Sequence, residues 1–257
     1  MVSSSLMGRL GNVLFQISAG YSLALDNNEE FIVSRSEMEF THYQIDLYLK
    51  TILRNVNFST KLLPIQNIHR EPHFNYSEIS FLPNIKIHGY FQSENYFKKN
   101  SETISKLFEI DEHTKTIIEQ KYSEILLKNT CSIHVRRGDY LGLLEYHPVC
   151  NMKYFETAMS EMSDDTIFLI FSDDINWCKE NFLGDKYLFI EGNNEVVDLY
   201  LMSMCKNNII SNSSYSWWGA WLNTNESKKV VAPRKWFGPS YSHMITDDLY
   251  CDKWIIY

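Results

Sequence analysis

The chain has 257 residues, of which 44% are apolar and 22% charged, and it carries a formal charge of −8. That length accommodates one large domain or two modest ones, and the balance of residue types excludes a disordered, collagen-like or coiled-coil chain. Basic residues scattered under a net negative charge leave no footprint for a nucleic-acid backbone, so nucleic acid is excluded as a partner.

The start, MVSSSLMGRLGN, lacks the basic-then-apolar layout of a signal peptide. No stretch approaches the roughly 20 apolar residues needed to cross a bilayer. The expectation is a cytoplasmic protein, with a peripheral position on the inner membrane face left open. Gly8 and Gly11 form a tight loop after a rather polar first strand, VSSSLM, and the helix SAGYSLALDNN follows. The loop has neither the glycine spacing of a dinucleotide fingerprint nor the Gly-Lys-Ser/Thr of a P-loop. NIKIHGYFQSENYF reads as a strand running into a turn and helix, and SETISKLFEIDEHTKTIIEQKYSEILLKN as a long helical region.

The pattern changes near residue 125, which predicts one domain over 1–125 and another over 126–257, with the C-terminal tail free to return to the first. Beyond the change, short apolar runs precede polar loops: TCSIHV before RRGDY, DDTIFLIF before SDD, KYLFIEG, KNNIIS before NSSYS, and KKVVAP before RKW. These have the length of buried parallel strands. Between them NMKYFETAMSEM, DINWCKENF, EVVDLYLMSMC and SYSWWGAWLNT carry apolar residues at helical steps. Strands alternating with helices predict an α/β doubly wound sheet, whose ligands bind beyond the carboxyl ends of the strands. RRGDY, SDD and NSSYS fall on that rim.

Residues two apart on a strand share a face, so His134 and Arg136 present an imidazole and a guanidinium side by side, with Val135 opposite. A guanidinium matches phosphate oxygens with a fork of donors and a charge that does not titrate away. Taken alone, Arg136, Arg137 and Asp139 read as a structural ion-pair cluster and His134 as a hydrogen-bonded core histidine. In FSDD, either Asp173 or Asp174 suits a guanine N–H while the other caps the next helix. Ser213 and Ser214 stand where a strand gives way to a helix, an arrangement suited to an anion, although a serine there is also a plain N-cap. Trp217, Trp218 and Trp221 have the spacing of a buried helix.

No Asp-x-Asp and no His-Glu-x-x-His occurs, so no metal site is expected. The five cysteines are widely spaced without Cys-x-x-Cys and read as reduced thiols.

Together GRLGN (8–12), HVRRGDY (134–140) and SNSSYSWWGAW (211–221) resemble the α-1,2-fucosyltransferases of glycosyltransferase family 11. GYFQSENYF (89–97), HPVC followed by Tyr154, FSDD and KVVAP extend the resemblance over nearly the whole chain. Arg9 and Val13 stand where many bacterial members carry Gly and Gln. The resemblance implies a GT-B type α/β fold, two Rossmann-like domains with the donor cleft between them. It implies inverting transfer of L-fucose from GDP-β-L-fucose to the 2-hydroxyl of a terminal galactose on a glycan, without metal or other cofactor. His134 and Arg136 then contact the guanosine diphosphate, with Arg136 on the phosphate. Asp173 or Asp174 takes the base, Ser213 and Ser214 phosphate or ribose, and Arg9 and Asn12 close over the sugar. Asp139 is the candidate general base, with Glu94 and Glu145 as others, and an oxocarbenium-like centre has no strict need of one. The alternatives are another nucleotide-sugar transferase and a non-enzymatic carbohydrate-binding protein using its aromatic surface.

Overall fold

A computed structural model of the chain describes residues 1–39 and 44–257, with residues 38 and 39 described by their backbone only. The chain forms two compact units, Met1–Asp111 with Met244–Cys251, and Glu112–His243 with Asp252–Tyr257. The border therefore falls at Asp111, ahead of residue 125. The long helical region is two helices, and the second of them leans on the later unit.

The first unit runs β1 (Val2–Ser4), α1 (Leu10–Asp26), β2 (Val33–Ser34), α2 (Arg35–Glu39), α3 (Ile45–Lys50), β3 (Phe58–Ser59), β4 (Asn67–Arg70), β5 (Ile85–His88) and α4 (Ser101–Leu107). A parallel sheet has the order β1-β5-β4, and β2 pairs in parallel with β3. The expected helix after the GYFQS turn is a single 3-10 turn, Glu94–Tyr96. Leu10, Val13, Leu14 and Ile17, spaced for one helical face, are all buried. The polarity of β1 has a packing cause. A Cβ on Gly20 of α1 would stand 2.2 Å from Ser4 Oγ, so strand and helix approach too closely for a larger side chain. Ser4 Oγ donates to the Gln16 carbonyl at 2.8 Å, which satisfies the buried hydroxyl.

The second unit runs α5 (Glu112–Leu126), β6 (Thr130–Val135), α6 (Met152–Met159), β7 (Ile167–Ser172), α7 (Ile175–Asn181), β8 (Tyr187–Phe189), α8 (Glu195–Met204), β9 (Asn207–Ile209), α9 (Ser214–Trp221), β10 (Val230–Ala232) and β11 (Ile255–Ile256). Asn151, Asp174 and Asn194 start α6, α7 and α8 by accepting first-turn N–H groups on their side-chain oxygens. All strand pairs are parallel, in the order β11-β10-β9-β6-β7-β8.

From β6 the chain winds outward through β7 to β8, then α8 carries it back to β9 on the other side of β6. The topological switch point lies between β6 and β9. Cys131, Ile133 and Val135 of β6 pack into a core with Phe155, Ala158, Phe168, Ile170, Cys178 and Phe182. The opposite face of β6 holds buried polar groups: Asn208 Nδ2 donates to Ser132 Oγ and to the Met202 carbonyl, both at 2.8 Å. All five cysteines are free, and burial pushes the thiols of Cys150 and Cys178 up to about 11. Among the described residues no helix is long and apolar enough to cross a membrane.

Candidate functional site

The loops after β6 and β9 flank the switch point, and one hydroxyl joins them. Ser211 Oγ donates to the His134 carbonyl at 2.6 Å and accepts from the Arg136 N–H at 3.2 Å. This continues the β6–β9 seam past its last ladder pair, Ile133 with Ile209.

His134 is only 6% exposed, and its Nδ1 has no hydrogen-bond partner among the described residues. That departs from the plain reading of a satisfied core histidine. Its ring lies 5.4 Å from that of Tyr215 in α9. Burial, and then the Arg136 charge, push its pKa down to about 3, so the imidazole is neutral at neutral pH. The folded value lies below the ordinary 6.5, so the unfolded chain takes up a proton first and stability falls as pH drops from about 6.5 towards 3. The slope from this group approaches about 1.4 kcal/mol per pH unit. Glu71 and Asp198, raised by burial to about 7 and about 6, act in the opposite direction. The expected result is that His134→Gln flattens the acid side of the stability curve relative to the unmodified protein. Urea midpoints between pH 7 and pH 5 measure it, and parallel curves would show that His134 does not titrate this way.

Arg136 and Arg137 turn outward at the end of β6 and meet the loop after β7. Arg136 Nη1 pairs with Asp173 Oδ2 at 2.8 Å and its Nη2 with Asp139 Oδ1 at 2.5 Å, while its guanidinium carbon lies 5.2 Å from the centre of the Tyr140 ring. Arg137 donates its backbone N–H to Asp173 Oδ1 at 2.9 Å and its Nε to Asp174 Oδ2 at 3.1 Å, with the guanidinium 4.0 Å over Trp177. Asp174 Oδ1 also caps α7 through the Trp177 N–H. The ion-pair cluster is therefore real, and it extends to both aspartates of FSDD. Gly138 is required here, since a Cβ would stand 2.5 Å from Asp173 Oδ2 and displace the carboxylate that holds Arg136.

Ser213 occupies the N-cap position of α9, with extended backbone and its carbonyl accepting from the Trp217 N–H at 3.0 Å. Its hydroxyl makes no capping bond, contrary to the usual use of a serine there. Ser216 turns back instead, to the carbonyls of Ser211 and Ser213. The Ser213 hydroxyl thus stands at the start of α9 without a capping role, beside Tyr215 and His134.

His134, Arg136, Asp139, Asp173, Asp174, Ser213 and Ser214 all belong to the rim of the second unit. Arg9 and Asn12 belong to the first. Arg9 is exposed at the N-cap of α1, and Asn12 Oδ1 accepts from Gln92 Nε2 at 2.8 Å, joining GRLGN to GYFQS. Gly8 has φ +77° and a Cβ there would stand 2.3 Å from Asn12 Nδ2, so this loop needs its glycine. Sequence reasoning gave no role to Ser211, Tyr140 or His147. Tyr140 reaches across the switch point to the Asn212 carbonyl at 3.2 Å and stacks on His147, with centroids 4.8 Å apart. The signal for all three was their place within HVRRGDY, SNSSYSWWGAW and HPVC, and nothing in spacing singled them out there. Among the described residues no group of three or more His, Cys, Asp or Glu is set to hold a metal ion.

The sequence matches the model of Glycosyl transferase family 11 over residues 1–257. It is 31% identical to the O-antigen biosynthesis glycosyltransferase WbnK of Escherichia coli, over 98% of this chain and 99% of that one. It is 30% identical to an alpha-1,2-colitosyltransferase of Escherichia coli, over 92% of each. Galactoside alpha-(1,2)-fucosyltransferase 2 of Oryctolagus cuniculus is 23% identical over 88% of this chain and 68% of its own. Among solved structures, NodZ alpha-1,6-fucosyltransferase co-crystallized with GDP matches with a TM-score of 0.58 over 85% of this chain and 91% of that one. At 13% identity that likeness is one of fold, the α/β GT-B type. With the whole chain matched, and relatives of similar length at 30% and 31% identity, the chain belongs to glycosyltransferase family 11.

Proposed function

We propose that this glycosyltransferase transfers L-fucose from GDP-β-L-fucose, with inversion, to the 2-hydroxyl of a terminal galactose on a surface glycan. The observation that carries the reading is the convergence of Arg136, His134 and the start of α9, where the Ser213 hydroxyl makes no capping bond, at the switch point of a parallel sheet. A guanidinium there supplies a fixed positive charge for the departing β-phosphate. Two of its N–H groups now serve Asp139 and Asp173, and a phosphate oxygen replaces Asp139, the more exposed partner. The Ser213 and Ser214 region takes the α-phosphate or ribose through backbone N–H groups and hydroxyls. Asp173 or Asp174 accepts from the guanine N–H, and Arg9 and Asn12 serve the sugar. The phosphate charge is carried by Arg136 and the helix start, so no metal is required.

The alpha-1,2-colitosyltransferase relative favours one second reading, the same 1,2-transfer with colitose in place of fucose.

Calorimetric titration of GDP into the full chain in EDTA, beside UDP, tests the donor site. Micromolar GDP binding that ignores EDTA, with UDP much weaker, is the expected result. Equal affinity for UDP would overturn the guanine assignment, and no binding by folded protein would overturn the site. Turnover with GDP-fucose against the colitose donor then separates the two sugars.

A further inference from the structure

The base that takes the acceptor's proton is open in the mechanism above. Asp139, the sequence candidate, lies against the Arg136 guanidinium and gives way there to the phosphate, which leaves its carboxylate on the leaving-group side. Glu145 is exposed on its loop, and Glu94 pairs with Lys98 in the first unit.

His147 lies beyond Asp139 in the same loop and is held with unusual care for a loop residue. Its backbone N–H donates to the Leu143 carbonyl at 2.8 Å, and its ring is stacked on Tyr140 at 4.8 Å with 18° between planes. Phe237 and Tyr241 close on it from a second loop, at 6.0 and 5.9 Å. That loop is tied down by the Gly238 N–H to the Tyr146 carbonyl at 2.8 Å and the Ser240 N–H to the Glu145 carbonyl at 2.9 Å. Gly238 is what permits the approach, since a Cβ there would stand 2.4 Å from the Glu145 carbonyl oxygen. Tyr140, meanwhile, donates its hydroxyl to the Asn212 carbonyl, which fixes the ring on which the imidazole stacks.

Resting on the proposed function, we infer that His147 is the general base: its imidazole, clamped by Tyr140, Phe237 and Tyr241 beside Arg136 and Asp139, receives the proton of the attacking galactose hydroxyl. The Arg136 guanidinium carbon and the imidazole centre lie on the same tyrosine ring, no more than about 10 Å apart. As the acceptor oxygen bonds to the anomeric carbon, the carbon–oxygen bond to the β-phosphate breaks with its electron pair on the phosphate. The hydroxyl proton passes to an imidazole nitrogen and is released to solvent afterwards. The aromatic rings around His147 offer a face for the galactose ring.

The charged and titratable groups around the imidazole are Tyr140, Asp139 and Arg136 from its own loop and Tyr241 from the second, with His243 in contact with Tyr241. Burial lowers the His147 pKa most, Arg136 lowers it further and Asp139 pulls it up, leaving it below 6.5. It is therefore neutral and able to accept a proton at neutral pH.

The test uses the full chain with GDP-fucose and a panel of galactose-terminated oligosaccharides, comparing the unmodified protein with His147→Gln and His147→Asn from pH 5 to 9. Thermal melts and GDP titration check that both variants fold and hold the nucleotide. The expected result is a kcat about a hundredfold lower in both variants with GDP affinity within twofold. The acid limb of the unmodified enzyme's profile disappears in the variants. Full turnover in either variant, or an acid limb that survives, would overturn the base assignment while leaving the donor reading intact. An unmodified protein that binds no GDP would overturn the donor reading and this inference with it.

Discussion

Arg136→Ala lowers kcat by about a hundredfold or more, the scale of one well-placed donor on a developing charge. In the proposed transfer the leaving group acquires negative charge as the fucosyl carbon–oxygen bond opens. A guanidinium that cannot titrate away meets that charge at every working pH. Arg136 is also fixed before the substrate arrives, between Asp139 and Asp173 and against the Tyr140 ring, with its side chain 14% exposed. Such fixing removes the reorganisation that a flexible cation would need at the moment of reaction. Removing it also leaves the Asp139 and Asp173 carboxylates facing the incoming phosphates, so GDP affinity falls with turnover. Arg136→Lys keeps the charge and loses the fork, and is expected between the two. Steady-state rates beside GDP titration measure this, and an alanine variant within fivefold of the unmodified enzyme would remove Arg136 from the leaving-group role.

The legibility of this site in the sequence was uneven for physical reasons. His-x-Arg at a strand end is a local statement, because the two-residue period of a strand puts both side chains on one side. Likewise the apolar runs of β6, β7 and β10 are long or pure enough to stand out. β11, Ile255–Ile256, is apolar but too short to stand out, and β4 alternates half-buried and exposed residues, Asn67 to Arg70, without an apolar run. The unit border escaped because α5 joins the second unit through contacts made elsewhere. Tyr122 accepts from Asn193 Nδ2, and Lys121 donates to Asn193 Oδ1. Ser211 and His147 escaped for the same reason. Ser211 meets Arg136 from 75 positions away across the switch point, and His147 gains its setting from Phe237 and Tyr241. Spacing reports what one element presents; it says nothing of what another element brings to it.

Trp217→Ala is expected to cost about 3–5 kcal/mol of stability, the range for deleting a buried large aromatic. Trp217 is fully buried, tilted 70° against Trp218 at 5.2 Å, nearly parallel to Trp221 at 6.3 Å, and 5.6 Å from Trp254 of the returning C-terminal segment. Its indole fills the space under α9, and α9 has no side-chain cap at Ser213. Packing therefore holds the helix, together with the Tyr215 hydroxyl on the Glu195 carbonyl and the Ser216 hydroxyl on the carbonyls of Ser211 and Ser213. Trp217→Phe retains an aromatic ring and is expected to lose less than half as much. Urea unfolding of both variants measures the difference, and an alanine variant within 1 kcal/mol of the unmodified protein would show that the indole is not the anchor. The same pair separates the two functional classes. In a nucleotide-dependent transferase the damage travels from the floor of α9 to its first turn, so GDP affinity drops in Trp217→Ala and recovers in Trp217→Phe. A carbohydrate-binding protein would show the loss in glycan affinity with no nucleotide term, because it has no use for the first turn of α9 or for Arg136 beside it.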